Sequence, residues 1–146
     1  ADVRTLSHQM MPNMLIKNSL ANALRDLIEK TSTPKLAVNL QIEGLEKEVD
    51  QNIQVTLYRI IQECINNTVK HSGADKIDIS VIQSDKKITT EIKDNGKGFN
   101  PLKISENKDG IGLQNMKARI EMLKGKMRID SAADRGTQVF IEIPIV

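Results

Sequence analysis

The sequence predicts an α+β fold: a two-layer α/β sandwich with a mixed, mostly antiparallel sheet, helices on one of its faces, and an N-terminal helix ahead of it. Three observations predict it. Several short runs alternate apolar and polar residues, the period of a half-buried strand. Between them, longer segments repeat apolar residues every three or four positions, the period of an amphipathic helix. The order β-α-β-β-loop-α-β-β places one hairpin in the middle and one at the end, so most strand neighbours are antiparallel while both helices cover one face. The other face is left to solvent or to a partner.

Residues 2 to about 30 read as one helix. Val3, Leu6, Met10, Leu20, Leu24 and Leu27 keep the three-four spacing of a coiled-coil or bundle seam. Asn13 and Lys17 interrupt the seam just after Pro12, where a missing backbone N–H predicts a kink. Such a seam packs either on the downstream domain or on helices outside this sequence, and its place ahead of Pro34 favours the second. The chain opens mid-pattern with Ala1-Asp2-Val3-Arg4, as expected of a segment cut from a longer protein. Thr31 to Pro34 is a linker, which divides the chain into a helical part, 1–31, and a domain, 35–146.

Within the domain, Leu36, Val38, Leu40 and Ile42 share the phase of a strand that ends near Gly44. Residues 51–72 carry the best helical pattern, with Ile53, Leu57, Ile60, Ile61, Cys64, Ile65 and Thr68 on one broad face and Gly73 as its stop. Residues 76–83 and 87–95 alternate on either side of Ser84-Asp85-Lys86 and read as a hairpin. A polar loop follows, then a helix over 113–123 with Met116, Ile120 and Leu123 on one face, closed by Gly125. The last two strands are 127–129 and 137–145, with Asp134-Arg135-Gly136 in their turn.

Composition narrows the function classes. The 146 residues suffice for one domain plus an extra element. A net charge of +2 is too balanced to argue for nucleic acid or a membrane surface, and 2% aromatics leave no base-stacking platform. The single cysteine, Cys64, excludes an intrachain disulfide and fits a reducing compartment. No run approaches the length of a membrane-spanning helix, and no signal peptide is visible.

The chemistry gathers at the end of the hairpin. Ile88, Thr90, Ile92 and Asp94 share one strand face, and the isoleucines mark it as the buried one. Asp94 is therefore an inward carboxylate, followed by Gly96 and Gly98, which let a ligand approach the backbone. It either caps its own turn or accepts from a ligand N–H, such as the adenine amino group. On the long helix, Glu63, Asn67 and Lys70 fall within roughly 60° of one another at about 100° per residue. They are either a solvated face or a place for hydrated Mg²⁺ and the phosphates it bridges. Gly110 and Gly112, opening a helix at Leu113, expose backbone N–H groups at a positive helix end suited to phosphate. Thr137 points inward on the last strand and can share the adenine hydrogen bond through water. The span 100–108 has the length of a lid.

This conjunction resembles the GHKL, or Bergerat-fold, ATPases, and within them the catalytic ATP-binding domain of sensor histidine kinases. The resemblance covers residues 36–146. Residues 62–71, with Glu63, Asn67, Lys70 and His71, resemble the N box. Asp94-Asn95-Gly96-Lys97-Gly98-Phe99 resembles the first glycine box, and Gly110-Ile111-Gly112-Leu113 the second. Arg135-Gly136-Thr137 is similar to the closing motif beside the adenine pocket. The resemblance implies that Asn67 binds Mg²⁺, that Lys70 contacts phosphate, and that Asp94 reads adenine with support from Thr137. It implies that Gly96, Gly98, Gly110, Ile111, Gly112 and Leu113 shape the phosphate side and the lid hinges. The glutamate matching Glu63 activates water in relatives that hydrolyse ATP, so Glu63 is placed in the site beside Asn67. His71 is expected there as a helix-end hydrogen-bonding residue.

Phe99 is the one aromatic of the loop, where many histidine kinases carry a further phenylalanine box. The short lid resembles the NarX/DesK-like subgroup, whose dimerisation domain feeds LuxR-type response regulators, and residues 3–15 resemble its second dimerisation helix. His8 is not expected to be the phosphoacceptor: Gln9 stands where that motif carries an acid, and only one helix fits before Leu36. The acceptor is expected upstream, so the chain should bind ATP without phosphorylating itself. The resemblance further implies ATP or ADP as ligand, a homodimer in the full protein, a response regulator as partner, and a cytoplasmic site with membrane anchoring upstream. A serine kinase of the anti-sigma-factor type shares the boxes but needs no helical seam. A non-enzymatic interaction module with a vestigial pocket would not need Asn67, Asp94 and the glycines intact.

Overall fold

A computed structural model describes residues 19–45, 49–97, 108–132 and 136–145. The alternating runs become the strands β1 (Ala37–Glu43), β2 (Lys76–Gln83), β3 (Lys87–Asp94), β4 (Lys126–Ala132) and β5 (Gly136–Pro144). They form one sheet in the order β1-β2-β3-β5-β4. β1 and β2 are parallel, as their helical crossover requires, and the other neighbours are antiparallel. The last strands are longer than their apolar cores suggest: β4 extends to Ala132, and Ser131 pairs with Thr137.

One face of the sheet is the core. Val38, Ile77, Ile79, Val81, Ile88, Ile92, Val139, Ile141 and Ile143 are buried there, each at the phase that its strand alternation dictates. The opposite face is polar. Asn39 donates to Asp78, Lys87 pairs with Glu142, and Gln138 donates to Glu91. Arg128 stacks 5.6 Å over the Phe140 ring.

Three helices pack on the apolar side. α2 (Gln51–Asn67) begins at Asp50, whose carboxylate accepts the Asn52 N–H at 2.8 Å and also suits the positive helix end. Its stripe of Ile53, Leu57, Ile60, Ile61, Cys64 and Ile65 is buried. The expected helix over 51–72 is α-helical only to Asn67. Thr68–Ser72 forms a π-helical turn, closed by Gly73 at a φ of 66°, a left-handed conformation glycine adopts freely.

α1 (Leu20–Thr31) corrects the reading of one helix from residue 2. Ser19 is extended, with φ −66° and ψ 164°, and its side chain accepts the Asn22 N–H, so a helix starts here. Residues 1–18, His8 and the first half of the seam among them, lie outside the described residues. The second half is also corrected. Leu20, Ala23 and Leu24 are buried in the domain core beside β1 and α2, not held out for other helices. An amphipathic stripe records how much must be buried but not against what.

α3 (Lys108–Met122) starts five residues before the expected Leu113. Ile120 is buried under this helix against the sheet.

Candidate functional site

The site is built from two sides, and the strand side is set by register. β3 ends at Asp94, which pairs with Ile77 of β2 and Thr137 of β5. Strand parity turns its side chain into the core face, where the residue is 8% exposed. Asp94 Oδ1 accepts the Gly96 N–H at 2.8 Å. Asn95, pointing the other way, clamps the turn to the start of β2: its Oδ1 accepts the N–H groups of Asp75 and Lys76, each at 3.1 Å. Its amide donates to the Asp75 carboxylate at 2.6 Å.

Gly136 brings β5 against this turn. Its φ is +80°, and a Cβ there would stand 2.2 Å from the Asp94 carbonyl oxygen. Only glycine permits that approach, so the Arg-Gly-Thr signal at the head of β5 has a steric cause. Thr137 then lies beside Asp94, but its hydroxyl is 2.8 Å from that of Ser131 on β4, and Ser131 donates to the Gly136 carbonyl at 3.2 Å. The expected partnership of Thr137 with Asp94 is thus one of register, while its hydroxyl engages Ser131.

The helix side descends on Asp94 from α2. Thr68, at the start of the π-turn, has its hydroxyl 3.2 Å from Asp94 Oδ2 and 2.9 Å from the Cys64 carbonyl oxygen. Thr68 was expected only on the apolar face. The signal that could have found it is a hydroxyl on an apolar stripe, which needs a buried polar partner. Cys64 beneath it is buried; burial first, then the charges of Glu63 and Asp94, push its thiol up to about 12, so it stays protonated and inert.

Glu63 and Asn67 are half-buried and Lys70 is exposed. Among the described residues, no hydrogen bond or ion pair engages these three side chains. The regular 100° step that groups them holds from Glu63 to Asn67. It fails beyond, because the wider π-turn advances each residue by a smaller angle, so Lys70 is not where α-helical geometry puts it. The His71 side chain lies outside the described residues.

α3 opens with Lys108, Asp109 and Gly110, whose backbone N–H groups precede the α-helical hydrogen-bond ladder. Gly110 stands at the third helical position, ahead of that ladder, whereas Gly112, the fifth, lies within it, a consequence of the early start. Gly98, Phe99 and residues 100–107 of the expected lid lie outside the described residues, as does Arg135, while Lys108 already belongs to α3.

Chemically, the strand side offers an acceptor-only carboxylate in a shielded corner, suited to an N–H donor on a flat ring. The helix side offers an uncommitted carboxylate and amide one helical turn apart on α2, at Glu63 and Asn67. Among the described residues no three His, Cys, Asp or Glu side chains cluster as metal ligands. The oxygens of Asn67 and Glu63 are hard donors of the kind Mg²⁺ takes, one or two from protein and the rest from water and phosphate. Two concavities lie elsewhere: about 320 Å³ on the outer sheet face by Asn39, Asp78 and Glu91, and about 300 Å³ between α1 and β1 by Ile28, Leu40 and Ile42.

Comparison with known proteins bears on this geometry. Residues 52–146 match the family of histidine kinase-, DNA gyrase B- and HSP90-like ATPases. The chain is 32% identical over 143 residues to sensor histidine kinase ComP of Bacillus subtilis, covering 97% of this chain and 19% of that protein. It is 38% identical over 103 residues to the signal transduction histidine-protein kinase/phosphatase DegS of Brevibacillus brevis, covering 70% and 26%. It is 31% identical over 145 residues to oxygen sensor histidine kinase NreB of Staphylococcus carnosus, covering 99% and 42%. The chain thus spans less than half the length of these relatives. The fold is similar to the histidine kinase domain of the Erythrobacter litoralis blue-light activated kinase, with a TM-score of 0.63 at 16% identity, over 86% of this chain and 59% of that one.

Proposed function

The chain belongs to the histidine kinase-, DNA gyrase B- and HSP90-like ATPases, and from that premise we propose that it is the ATP-binding catalytic part of a two-component sensor histidine kinase. One observation carries the reading: Asp94, nearly buried, presents a carboxylate to the helix side of the sheet, where the hydroxyl of Thr68, next in the chain to the uncommitted Asn67, lies 3.2 Å from it. The names of the relatives favour a histidine kinase over a serine kinase of the same fold.

In this reading Asp94 accepts the adenine amino group, and the register of β2, β3 and β5 orients it. Asn67 holds Mg²⁺ through its amide oxygen, Glu63 lies beside it, and Lys70 and the first turn of α3 meet the phosphates. Bound Mg²⁺ supplies neutralisation of the charge on the β- and γ-phosphates. The protein's own task is positioning. The phosphoryl group leaves ADP oxygen and bonds to an imidazole nitrogen, on a histidine of a dimerisation helix upstream of residue 1, within a homodimer. From there it passes to an aspartate of a response regulator, of the LuxR-type output class. Among the described residues no helix is long and apolar enough to cross a membrane; anchoring through an upstream segment, with this part in the cytoplasm, is part of the same proposal.

Titration calorimetry with Mg-ATP tests the site. Asp94→Ala should weaken binding about 100-fold or more, because it removes a charge-assisted hydrogen bond and leaves the base unread. Undiminished affinity in that variant overturns the assignment. Incubation with γ-labelled ATP tests the acceptor: no acid-labile label should appear on the 146-residue chain, and label at His8 that is lost in His8→Gln places the acceptor there instead.

A further inference from the structure

We propose that Thr68 is a positioning residue for base recognition, holding the Asp94 carboxylate in the orientation from which its remaining lone pairs face the ligand. The proposal rests on the reading of Asp94 as the base-reading group.

An ionised carboxylate has about four lone-pair sites on two oxygens. One backbone hydrogen bond, from Gly96 to Oδ1 at 2.8 Å, anchors a single oxygen and leaves the other free to swing about it. A second anchor on Oδ2 fixes the plane. The strand neighbours do not supply it: Ile77 is apolar and fully buried, and the Thr137 hydroxyl is engaged with Ser131 at 2.8 Å. Thr68 does, with its hydroxyl 3.2 Å from Oδ2 inside a corner where Thr68 is 6% exposed.

The local backbone explains why a threonine can do this. Its hydroxyl also lies 2.9 Å from the Cys64 carbonyl one turn back, the bond by which Ser and Thr bend helices. The π-turn begins at this residue. A hydroxyl has one proton, so it serves either the Cys64 carbonyl or Asp94 at a given moment. Donation to Asp94 is the state that presents a fixed carboxylate. In the other state the carboxylate keeps only its Gly96 anchor. A ligand N–H reaching Asp94 selects the fixed state, and the hydroxyl thereby contributes to affinity without touching the ligand.

The test uses calorimetric titration of the chain with ADP, for Thr68→Val, Thr68→Ala, Thr68→Ser and Asp94→Asn. Inosine diphosphate, whose 6-oxo group offers Asp94 no proton, serves as control. Val keeps the shape and Ala the helix, so one hydroxyl-less protein remains usable if the other fails to fold. Both should bind ADP about tenfold more weakly. Thr68→Ser should stay within about twofold of the parent, and inosine diphosphate should bind all the Thr68 variants alike. ADP affinity unchanged in Val and Ala, a loss that Ser does not restore, or a parallel fall for inosine diphosphate overturns the proposal. ADP affinity unchanged in Asp94→Asn overturns the underlying reading instead, whatever the Thr68 variants do.

Discussion

The strand-built corner around Asp94 and the helix-built side around Asn67 differ in one physical respect. In the corner, described polar groups already have partners: Asp94 with Gly96 and Thr68, Asn95 with Asp75 and Lys76, Thr137 with Ser131. On the helix side, Glu63, Asn67 and Lys70 have none among the described residues. The first arrangement has its partners before any ligand arrives, and all it leaves open is which of Asp94 and the Cys64 carbonyl holds the single Thr68 proton. The second lacks a binding partner of its own and is finished by what it binds, which suits a hydrated metal and mobile phosphates. With the roles proposed above for Asp94 and Asn67, base selection and phosphate handling would be separable, and variants would break either one alone.

The largest effect is expected from breaking the corner at its closest contact. Gly136→Ala puts a Cβ 2.2 Å from the Asp94 carbonyl oxygen at a φ of +80°. Left-handed backbone and the backbone clash together should destabilise the fold by about 3 kcal/mol. Urea denaturation reads this as a lowered midpoint, and ADP affinity should fall with it because Asp94 is displaced. An unchanged midpoint would mean that β5 does not need to approach the turn so closely.

A smaller and conditional effect is expected on the helix side. Asn67→Ala removes an uncommitted amide at the last residue of α2, so the fold should lose less than about 0.5 kcal/mol. Binding of Mg-ATP should weaken about tenfold and metal-free ADP much less, since an amide oxygen that ligates the metal is not an adenine contact. Equal losses for both ligands would erase the separation between the two sides.

The two sides also differed in how much of them could be read beforehand. Strand parity is a rigid rule, so the limits of β2 and the inward turn of Asp94 follow from alternation alone. The Ser131–Thr137 pair does not, because the apolar core of β4 is too short to show that the strand reaches Ala132. Helical phase is equally rigid only while the helix stays α. The π-turn at Thr68 changes the angular step, which conceals both Thr68 above Asp94 and the true direction of Lys70. Leu20 and Leu24 show a third limit. Their spacing states that they must be buried, but a bundle partner and the domain's own core satisfy the spacing equally well.

The smallest effect comes from a polar group that belongs to neither side. Thr90 shares the core face of β3 with Asp94, four residues away, and is fully buried, yet its hydroxyl has no hydrogen-bond partner among the described residues. Its register neighbours are Val81 on β2 and Ile141 on β5, both fully buried and apolar. A hydroxyl withdrawn from water without a partner costs about 1–3 kcal/mol, and valine fills nearly the same volume with the same branched rotamer preference. Thr90→Val should therefore raise stability by about 1 kcal/mol in urea denaturation while leaving ADP affinity within about twofold, because no polar contact is lost. The two buried polar residues of one strand face would then have opposite answers to removal. Asp94 would be kept for the ligand proposed for it, whereas Thr90 contributes branched bulk that a hydrocarbon supplies better. A loss of stability in Thr90→Val would mean that its hydroxyl has a partner, and it would bring Thr90 into the same polar network as Asp94.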